Sequence, residues 1–475
     1  MSHACLRGKI MRPHGVLKLI AAALAVSACS DRTTAPAHCD KPELLSTVIS
    51  ANESNVLSFF LDARTLSADS IRINYATADL PGTSPSFSIT GDTVRAFALG
   101  LVPSATYSVS VVAYNDCGSS NSDQVLYTTG ALPSDIPTYR ATGSHAAPGY
   151  TVFAAGNYGL VADSTGRIVW YHRFTNGPGL NFQAQPNGRY AARPSADAGS
   201  AGAFVEIAPT GSITRTLGCA KGLSPRMHDL IAQTDGSYWL LCDEIRTLDL
   251  TAQGSGPTVR VMGTAVQHVS GSGDLMFEWS PFDHLEVDLS ILKPEDLTGP
   301  AVNWTHGNAI DIDRDGNLIV SYRNLNEVIK ADTKTGAVIW RLGGKHSSLN
   351  LENTASPPFA RQHGARASGN NEIILLDNLG ETAFSRAERY VIDPVAGTAR
   401  IVGAYGYDAG LVAQIGGSAQ RVGESHTLVS FGNGAGVQEY DSLGQIVWQL
   451  DSHPGYVFRA QRIRSLYTPG MGDPR

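Results

Sequence analysis

Three histidines stand at matching offsets ahead of three turn sequences. His228-Asp229-Leu230 runs into Asp235-Gly236, His306-Gly307-Asn308 into Asp315-Gly316-Asn317, and Gln362-His363-Gly364 into Asn370-Asn371. Each histidine lies seven to nine residues before its turn. An imidazole can serve as nucleophile, as general acid or base, or as a metal ligand. Asp229, Asn308 and Gln362 stand within two residues of the three histidines, and Arg323 follows the second turn. Three histidines could hold zinc, but the guanidinium of Arg323 would then face a cation without purpose, so no metal is expected. A histidine opening a repeat can also simply bond the neighbouring repeat.

The elements that must position these residues are repeats. A strand ending in Trp after a turn occurs as Asp163-Ser164-Thr165-Gly166-Arg167-Ile168-Val169-Trp170, and recurs through Trp340 and Trp448. A weaker copy ends at Trp279. Between them, Asn187-Gly188, Asp235-Gly236 and Asp315-Gly316 precede alternating apolar strands, and Asn-Gly and Asp-Gly are strong hairpin signals. Strand-turn-strand units recurring at about 50 residues predict a β-propeller, since each small sheet can cover its faces only by stacking in a closed ring. Six blades are expected, with five and seven the neighbouring counts, and the strand near Trp448 closes the ring with those near Val152. Helical periodicity is essentially missing, so the fold class is all-β. Equivalent positions on a ring face one axis, so the three imidazoles should converge at one mouth of the channel.

Ahead of the propeller, residues 39–130 read as a β-sandwich of short alternating strands such as Val56–Phe60, Ser70–Tyr75 and Tyr107–Val112. Leu101–Tyr107, followed by Val109, Val111, Ala113, Asn115 and Gly118, resembles the end of a fibronectin type III domain. In that fold a tyrosine hydroxyl, here that of Tyr107, returns to the backbone at the corner before its strand. The Trp expected in the first sheet is absent. Such sandwiches usually act as spacers or packing partners. Residues 131–145 have a linker composition, and the propeller is expected over 146–467.

The N-terminus carries Lys9, Arg12 and Lys18, then the apolar run Leu19–Val26, then Ser27-Ala28-Cys29. This is the pattern of a secretory signal over 1–28, too short to span a bilayer. Val26-Ser27-Ala28-Cys29 resembles the bacterial lipobox, which implies lipid attachment at Cys29 and a short polar tether over 29–38. Met11 is an alternative start, and Ser30 after the cysteine fits outer-membrane sorting. The chain is therefore expected to be exported and lipid-anchored, on the periplasmic or cell-surface side. No second apolar run approaches spanning length, so the lipid is the expected membrane contact. A net charge of −7 argues against nucleic-acid binding, which needs clustered Lys and Arg. Cys39, Cys117, Cys219 and Cys242 remain as disulfide candidates in an oxidising compartment, with Cys39–Cys117 and Cys219–Cys242 the preferred pairs.

One family shares these features in order. The stretch His306-Gly307-Asn308…Asp315-Gly316-Asn317-Leu318…Arg323-Asn324, with Trp340-Arg341-Leu342-Gly343-Gly344, Phe359-Ala360-Arg361-Gln362-His363, Asp377-Asn378 and Ser385-Arg386, resembles the arylsulfotransferases. These are the bacterial enzymes independent of 3′-phosphoadenylylsulfate, with their wider superfamily. The resemblance spans roughly Tyr150 to Leu450. It implies transfer of a sulfuryl group from a small aromatic sulfate to a phenolic acceptor through a sulfohistidine, without a cofactor. It further implies His363 as nucleophile, Arg323 as clamp on the sulfuryl oxygens, and His306 and Asn308 as hydrogen-bond donors. His228 would protonate the leaving phenolate, and Gln362 and Arg386 are further binding candidates. Gly364 departs from the family, whose bacterial enzymes tend to carry another residue there. Two other readings fit a propeller: a non-catalytic binding or scaffold lipoprotein, and a quinoprotein dehydrogenase. The latter is disfavoured by a count of only 6 Trp.

Overall fold

The computed structural model describes residues 39–472 apart from 176, 195–202, 353–358, 379–383, 407–409, 435 and 451–454. The expected signal, the lipidation site Cys29 and the tether lie outside the described residues. Among those described, no helix is long and apolar enough to cross a membrane.

Two sheets form the N-terminal sandwich. One contains Glu43–Ala51, Phe59–Leu66 and Thr93–Ala98, the other is built on Ser70–Ala76 and Thr106–Asn115. Alternation puts Phe59, Leu61, Ile71, Ile73, Tyr107, Val109 and Val111 between them. The expected corner is present: the Val102 amide donates to the Tyr107 hydroxyl at 2.8 Å. Cys39 and Cys117 are both disulfide-bonded. The sandwich is joined to the propeller by more than its chain connection. Asn52 donates to the Thr210 carbonyl at 2.7 Å, the Leu99 amide donates to Tyr467 at 3.2 Å, and Phe97 stacks on Tyr467. Leu57 lies in an apolar cluster with Phe153, Trp448 and Val457.

The remaining described sheets are six propeller blades. From the channel outward, blade 1 runs Ala460–Ile463, Tyr150–Ala155, Tyr158–Ala162, Ile168–Arg173, and blade 2 follows from Gly179–Ala184 to Ile213–Leu217. The inner strands of blades 3, 4, 5 and 6 are Ser224–Ala232, Gly307–Ile312, His363–Gly369 and Ser418–Val422. The ring closes twice. The C-terminal strand Ala460–Ile463 becomes the innermost strand of blade 1, and Ala141–Thr142 adds outside Ile446–Leu450 of blade 6. Within the segment 131–145, Tyr139 is buried against Phe153 with ring centroids 5.3 Å apart, and Asp135 pairs with Arg173 at 3.0 Å.

Two polar devices lock blade to blade beside the apolar interfaces. Side chains near the channel accept from the next blade's inner backbone: Gln461 from Ala184, Gln185 from Ala232, Asp229 from Ile310, Asp311 from Ala367 and Gln420 from Arg462. On the outer strands the repeated tryptophans reach forward. The indoles of Trp170, Trp279 and Trp448 donate to the carbonyls of Pro209, Gly336 and Ser164 at 2.7, 2.9 and 2.7 Å, each in an outer turn of the following blade. In these three blades the Trp at the strand end buries an apolar body between blades and satisfies its one donor on the neighbour. Cys219 and Cys242 form a disulfide, with Cα atoms 6.1 Å apart, tying the connection after blade 2 to the second strand of blade 3.

Candidate active site

One mouth of the channel lies at the N-terminal ends of the inner strands. His228 is in the inner strand of blade 3, His306 directly precedes that of blade 4, and His363 opens that of blade 5. The three rings meet there, with centroids 5.0 Å apart for His228–His306 and 6.2 Å for His228–His363. His228 and His363 are buried, and His306 is the most open of the three.

The backbone is irregular just where these side chains leave it. Pairing with the second strand shifts register between Leu180 and Gln183, Pro225 and Leu230, Gly307 and Ala309, and His363 and Arg366. Such bulges re-aim side chains that strict alternation would send elsewhere. Asn181, His306 and Arg361 also adopt left-handed φ of 52°, 52° and 56°. For non-glycine residues this costs about 1–3 kcal/mol each and persists only where surrounding bonds over-determine it. For His306 those bonds are the Arg323 amide on its carbonyl at 3.1 Å and Asn303 on its ring at 2.8 Å. For Arg361, its own amide donates to Asn326 at 2.9 Å.

His363 is held in one tautomer. Its Nδ1 lies 2.8 Å from Asn378 Oδ1 and 3.0 Å from the Arg361 carbonyl, two acceptors, so Nδ1 carries the proton. The Asn378 amide cannot turn over, because its Nδ2 donates to the Ala413 and Gly416 carbonyls, both at 2.9 Å. The lone pair is thereby left on Nε2. His306 is polarised the other way: the Asn303 amide donates to Nδ1, leaving Nε2–H as a donor. His228 Nδ1 is buried without a partner, while its carbonyl accepts from Asn181 at 2.8 Å.

The field is cationic. Burial pushes His228 and His306 well below the usual imidazole range, and Arg226 is the largest charge acting in the same direction on both. Burial brings His363 down to about 4; the hydrogen bond it donates to Asn378 opposes this and Arg323 adds to it. All three are neutral at pH 7. Burial and Arg361 lower Arg323 to about 10, which leaves it charged. Arg323 makes one side-chain hydrogen bond, to Asn324 at 2.9 Å, and its buried Nε has no partner. Arg361 is paired with Asp296 at 2.6 Å. Asp296 comes from a short 3-10 turn, Pro294–Leu297, inserted between blades 3 and 4.

These shifts make the site acid-sensitive. A histidine whose folded pKa lies below its unfolded value contributes stability above about pH 6.5 that is lost as pH falls through the folded pKa. For His363, from 6.5 down to about 4, this is roughly 3 kcal/mol. Urea midpoints measured from pH 7 to pH 4 should therefore fall less steeply in His363→Gln than in the unsubstituted protein. Equal slopes would contradict the buried neutral imidazole.

Other expected site residues are placed differently. Asn308 is fully buried and its amide donates to the Gln362 carbonyl at 2.6 Å, leaving only an acceptor without a partner. Gln362 turns into blade 4, donating to Ser321, Tyr322 and Glu327. Arg386 lies in a buried network in blade 5 with Glu388 and Asp377. Three residues bearing on the site were not expected from sequence. Asn378 orients His363, and Arg226 and Arg193 act electrostatically on His228. Gly364 has φ +63°, and a Cβ there would lie 2.9 Å from the Ser418 Cα and 3.1 Å from the Gly417 carbonyl of the next blade. Backbone cannot give way as a side chain could, so Gly364→Ala should destabilise by about 1–3 kcal/mol in chemical denaturation. A loss below experimental error would contradict the crowding.

The arylsulfotransferase (ASST) family model matches residues 224–453, from the start of the blade 3 inner strand into blade 6. That stretch holds the three histidines with Arg226, Arg323, Arg361 and Asn378, but not Asn181 or Arg193. No curated protein matches the chain. Among solved structures, a Bacteroides caccae protein of unknown function is 13% identical, covering 67% of this chain and 100% of that one with a TM-score of 0.42. Virginiamycin B lyase from Staphylococcus aureus is 12% identical, covering 74% and 93% with a TM-score of 0.33.

Proposed function

We propose that this chain transfers a sulfuryl group from an aryl sulfate to a phenol through a sulfohistidine at His363. The observation that carries the reading is the locked tautomer: Asn378 and the Arg361 carbonyl hold the proton on Nδ1 and present the Nε2 lone pair in a cationic pocket. The match of residues 224–453 to the arylsulfotransferase family supports the same reaction class.

Nε2 of His363 attacks sulfur, the bond from sulfur to the aryl oxygen breaks, and the phenolate leaves with that electron pair. Arg323 binds the sulfuryl oxygens as charge redistributes, and His306 donates from its Nε2–H. Burial and, after it, the arginine charges keep His228 neutral; the bound anion offsets the arginine part, so His228 can take up a proton and pass it to the phenolate. Phe458, with its ring centroid 5.8 Å from that of His228, offers an apolar wall to the aromatic ring. A second phenol then gives its proton to His228 and attacks sulfur, the nitrogen–sulfur bond breaks, and His363 is restored. Covalent catalysis of this kind divides one difficult displacement into two.

The reading includes location. Lipid attachment at Cys29 would hold the propeller outside the cytoplasm, where an aryl sulfate can serve as donor without a nucleotide. The direct test supplies purified protein with p-nitrophenyl sulfate and excess phenol. Release of nitrophenol dependent on the acceptor is expected, and none would sink the reading.

A further inference from the structure

The anion end of the mouth holds a carboxylate as well as arginines. Asp296 is buried, and its Oδ2 accepts from Arg361 Nη2 at 2.6 Å and from the Lys293 amide at 3.3 Å. Its Oδ1 makes no hydrogen bond among the described residues and lies 3.9 Å from Arg323 Nη1. Arg323 is the guanidinium assigned to the sulfuryl oxygens, and its buried Nε has no hydrogen-bond partner. Arg361 is engaged elsewhere: besides Asp296, it donates to Asn324 at 2.6 Å and lies 3.8 Å from the exposed Glu295. An anion seated on Arg323 therefore shares its surroundings with a fixed, buried negative charge. The three histidines beside it are neutral and do not compensate.

Repulsion from one fixed charge grows in proportion to the charge of the ligand, and taking a dianion out of water costs more than taking a monoanion. A sulfate ester carries one negative charge. A phosphate monoester of the same shape carries nearly two at neutral pH, its second pKa being about 6. We infer that Asp296 is a specificity-determining residue: its carboxylate sets the mouth to take sulfuryl monoanions and to turn away phosphoryl dianions. The inference rests on the proposed sulfuryl transfer for the seat of the anion at Arg323. With the charge of Asp296 removed, Arg323 and Arg361 would face the anion as two guanidinium forks without a carboxylate between them, a set that suits a dianion.

Binding can be separated from transfer by using benzenesulfonate and phenylphosphonate, which share a ring and a tetrahedral head and have no aryl–oxygen bond to break. At about pH 8.5 the phosphonate is a dianion, and calorimetry should show the sulfonate bound at least tenfold more tightly. Asp296→Asn keeps an oxygen for Arg361 while removing the charge, and should bring the two affinities within about threefold by strengthening the phosphonate. At about pH 5.5 the phosphonate is a monoanion while the histidines stay neutral, so the preference should shrink in the unsubstituted protein. Equal affinities at the higher pH would overturn the inference, as would a preference unchanged at the lower pH. Equal weakening of both ligands in Asp296→Asn would leave Asp296 only the task of holding Arg361, and would also overturn it. If Asp296→Asn does not fold, the pH comparison in the unsubstituted protein decides. Absence of turnover with a retained, Asp296-dependent preference would reject the transferase reading and keep the selection. Turnover of p-nitrophenyl sulfate with equal binding of the two probes would do the reverse.

Discussion

Replacing His363 by alanine is expected to lower kcat for aryl sulfate transfer by roughly four orders of magnitude or more, as removal of a covalent nucleophile does. The size follows from what the residue alone supplies. His306 and His228 are close, but the one imidazole whose Nδ1 proton is held by two acceptors, with its orienting amide itself fixed, is His363. Neither neighbour shows that arrangement: the His306 Nδ1 faces an amide donor, and the His228 Nδ1 has no partner. Binding of benzenesulfonate should survive within about tenfold, because charge at Arg323 holds the anion, and each factor of ten is only about 1.4 kcal/mol. Calorimetry beside the kinetic assay checks this. If both kcat and sulfonate binding collapse, the substitution has unfolded the mouth. If kcat is unchanged, His363 is not the nucleophile.

The second large effect is at Arg323. Arg323→Ala should reduce kcat/KM by a factor of about 10²–10³, the range for removing one preorganised charged donor from a developing anion. Arg323→Lys should recover only part of it, since an ammonium lacks the planar fork. A separate signature distinguishes an electrostatic role from simple packing. Arg323 lowers the His363 pKa, so its removal raises that pKa from about 4, and the acid limb of the pH–rate profile moves to higher pH. An unmoved limb with a reduced rate would assign Arg323 a positioning role without the field described above.

Much of this architecture is legible in the residues. Asp235-Gly236 and Asp315-Gly316 each place glycine at positive φ, 90° and 79°, in the turns where hairpins were expected. The repeated Trp170, Trp279 and Trp448 mark outer strands because each clasps the next blade. The equivalence of His228, His306 and His363 follows from their offsets to those turns. Ring closure was harder to read. Ala460–Ile463 and Ala141–Thr142 are short strands whose partners lie at the other end of the chain, and nothing local marks such pairing. Closure thus involves the C-terminal strand and an outer strand beyond Trp448, more than the join between Trp448 and Val152 that the repeats suggested.

Side-chain direction was the least legible property. Gln362 has the right type to bind an anion, yet it precedes the strand His363–Gly369, follows the left-handed Arg361 (φ 56°), and its side chain turns into blade 4. Asn308 would share a face with His306 in a regular strand, but the register shift between Gly307 and Ala309 intervenes. Arg386 pairs within its own blade because Asp377 is its direct cross-strand partner. Arg226 escaped notice because nothing in its type distinguishes it from other arginines until its Nε is found buried and unpartnered. Asn378 left a signal in the stretch Asp377-Asn378, but its role needs the contact with Nδ1 to be seen.

The central claim is that a sulfuryl group rests on His363 between donor and acceptor. Purified protein exposed to p-nitrophenyl sulfate without acceptor, quenched under alkaline conditions and digested, tests it directly by peptide mass spectrometry. The account predicts one added sulfuryl group on the peptide containing His363, lost when phenol is supplied and absent from His363→Ala. A label that persists in His363→Ala, or turnover with no label on any histidine, would contradict it.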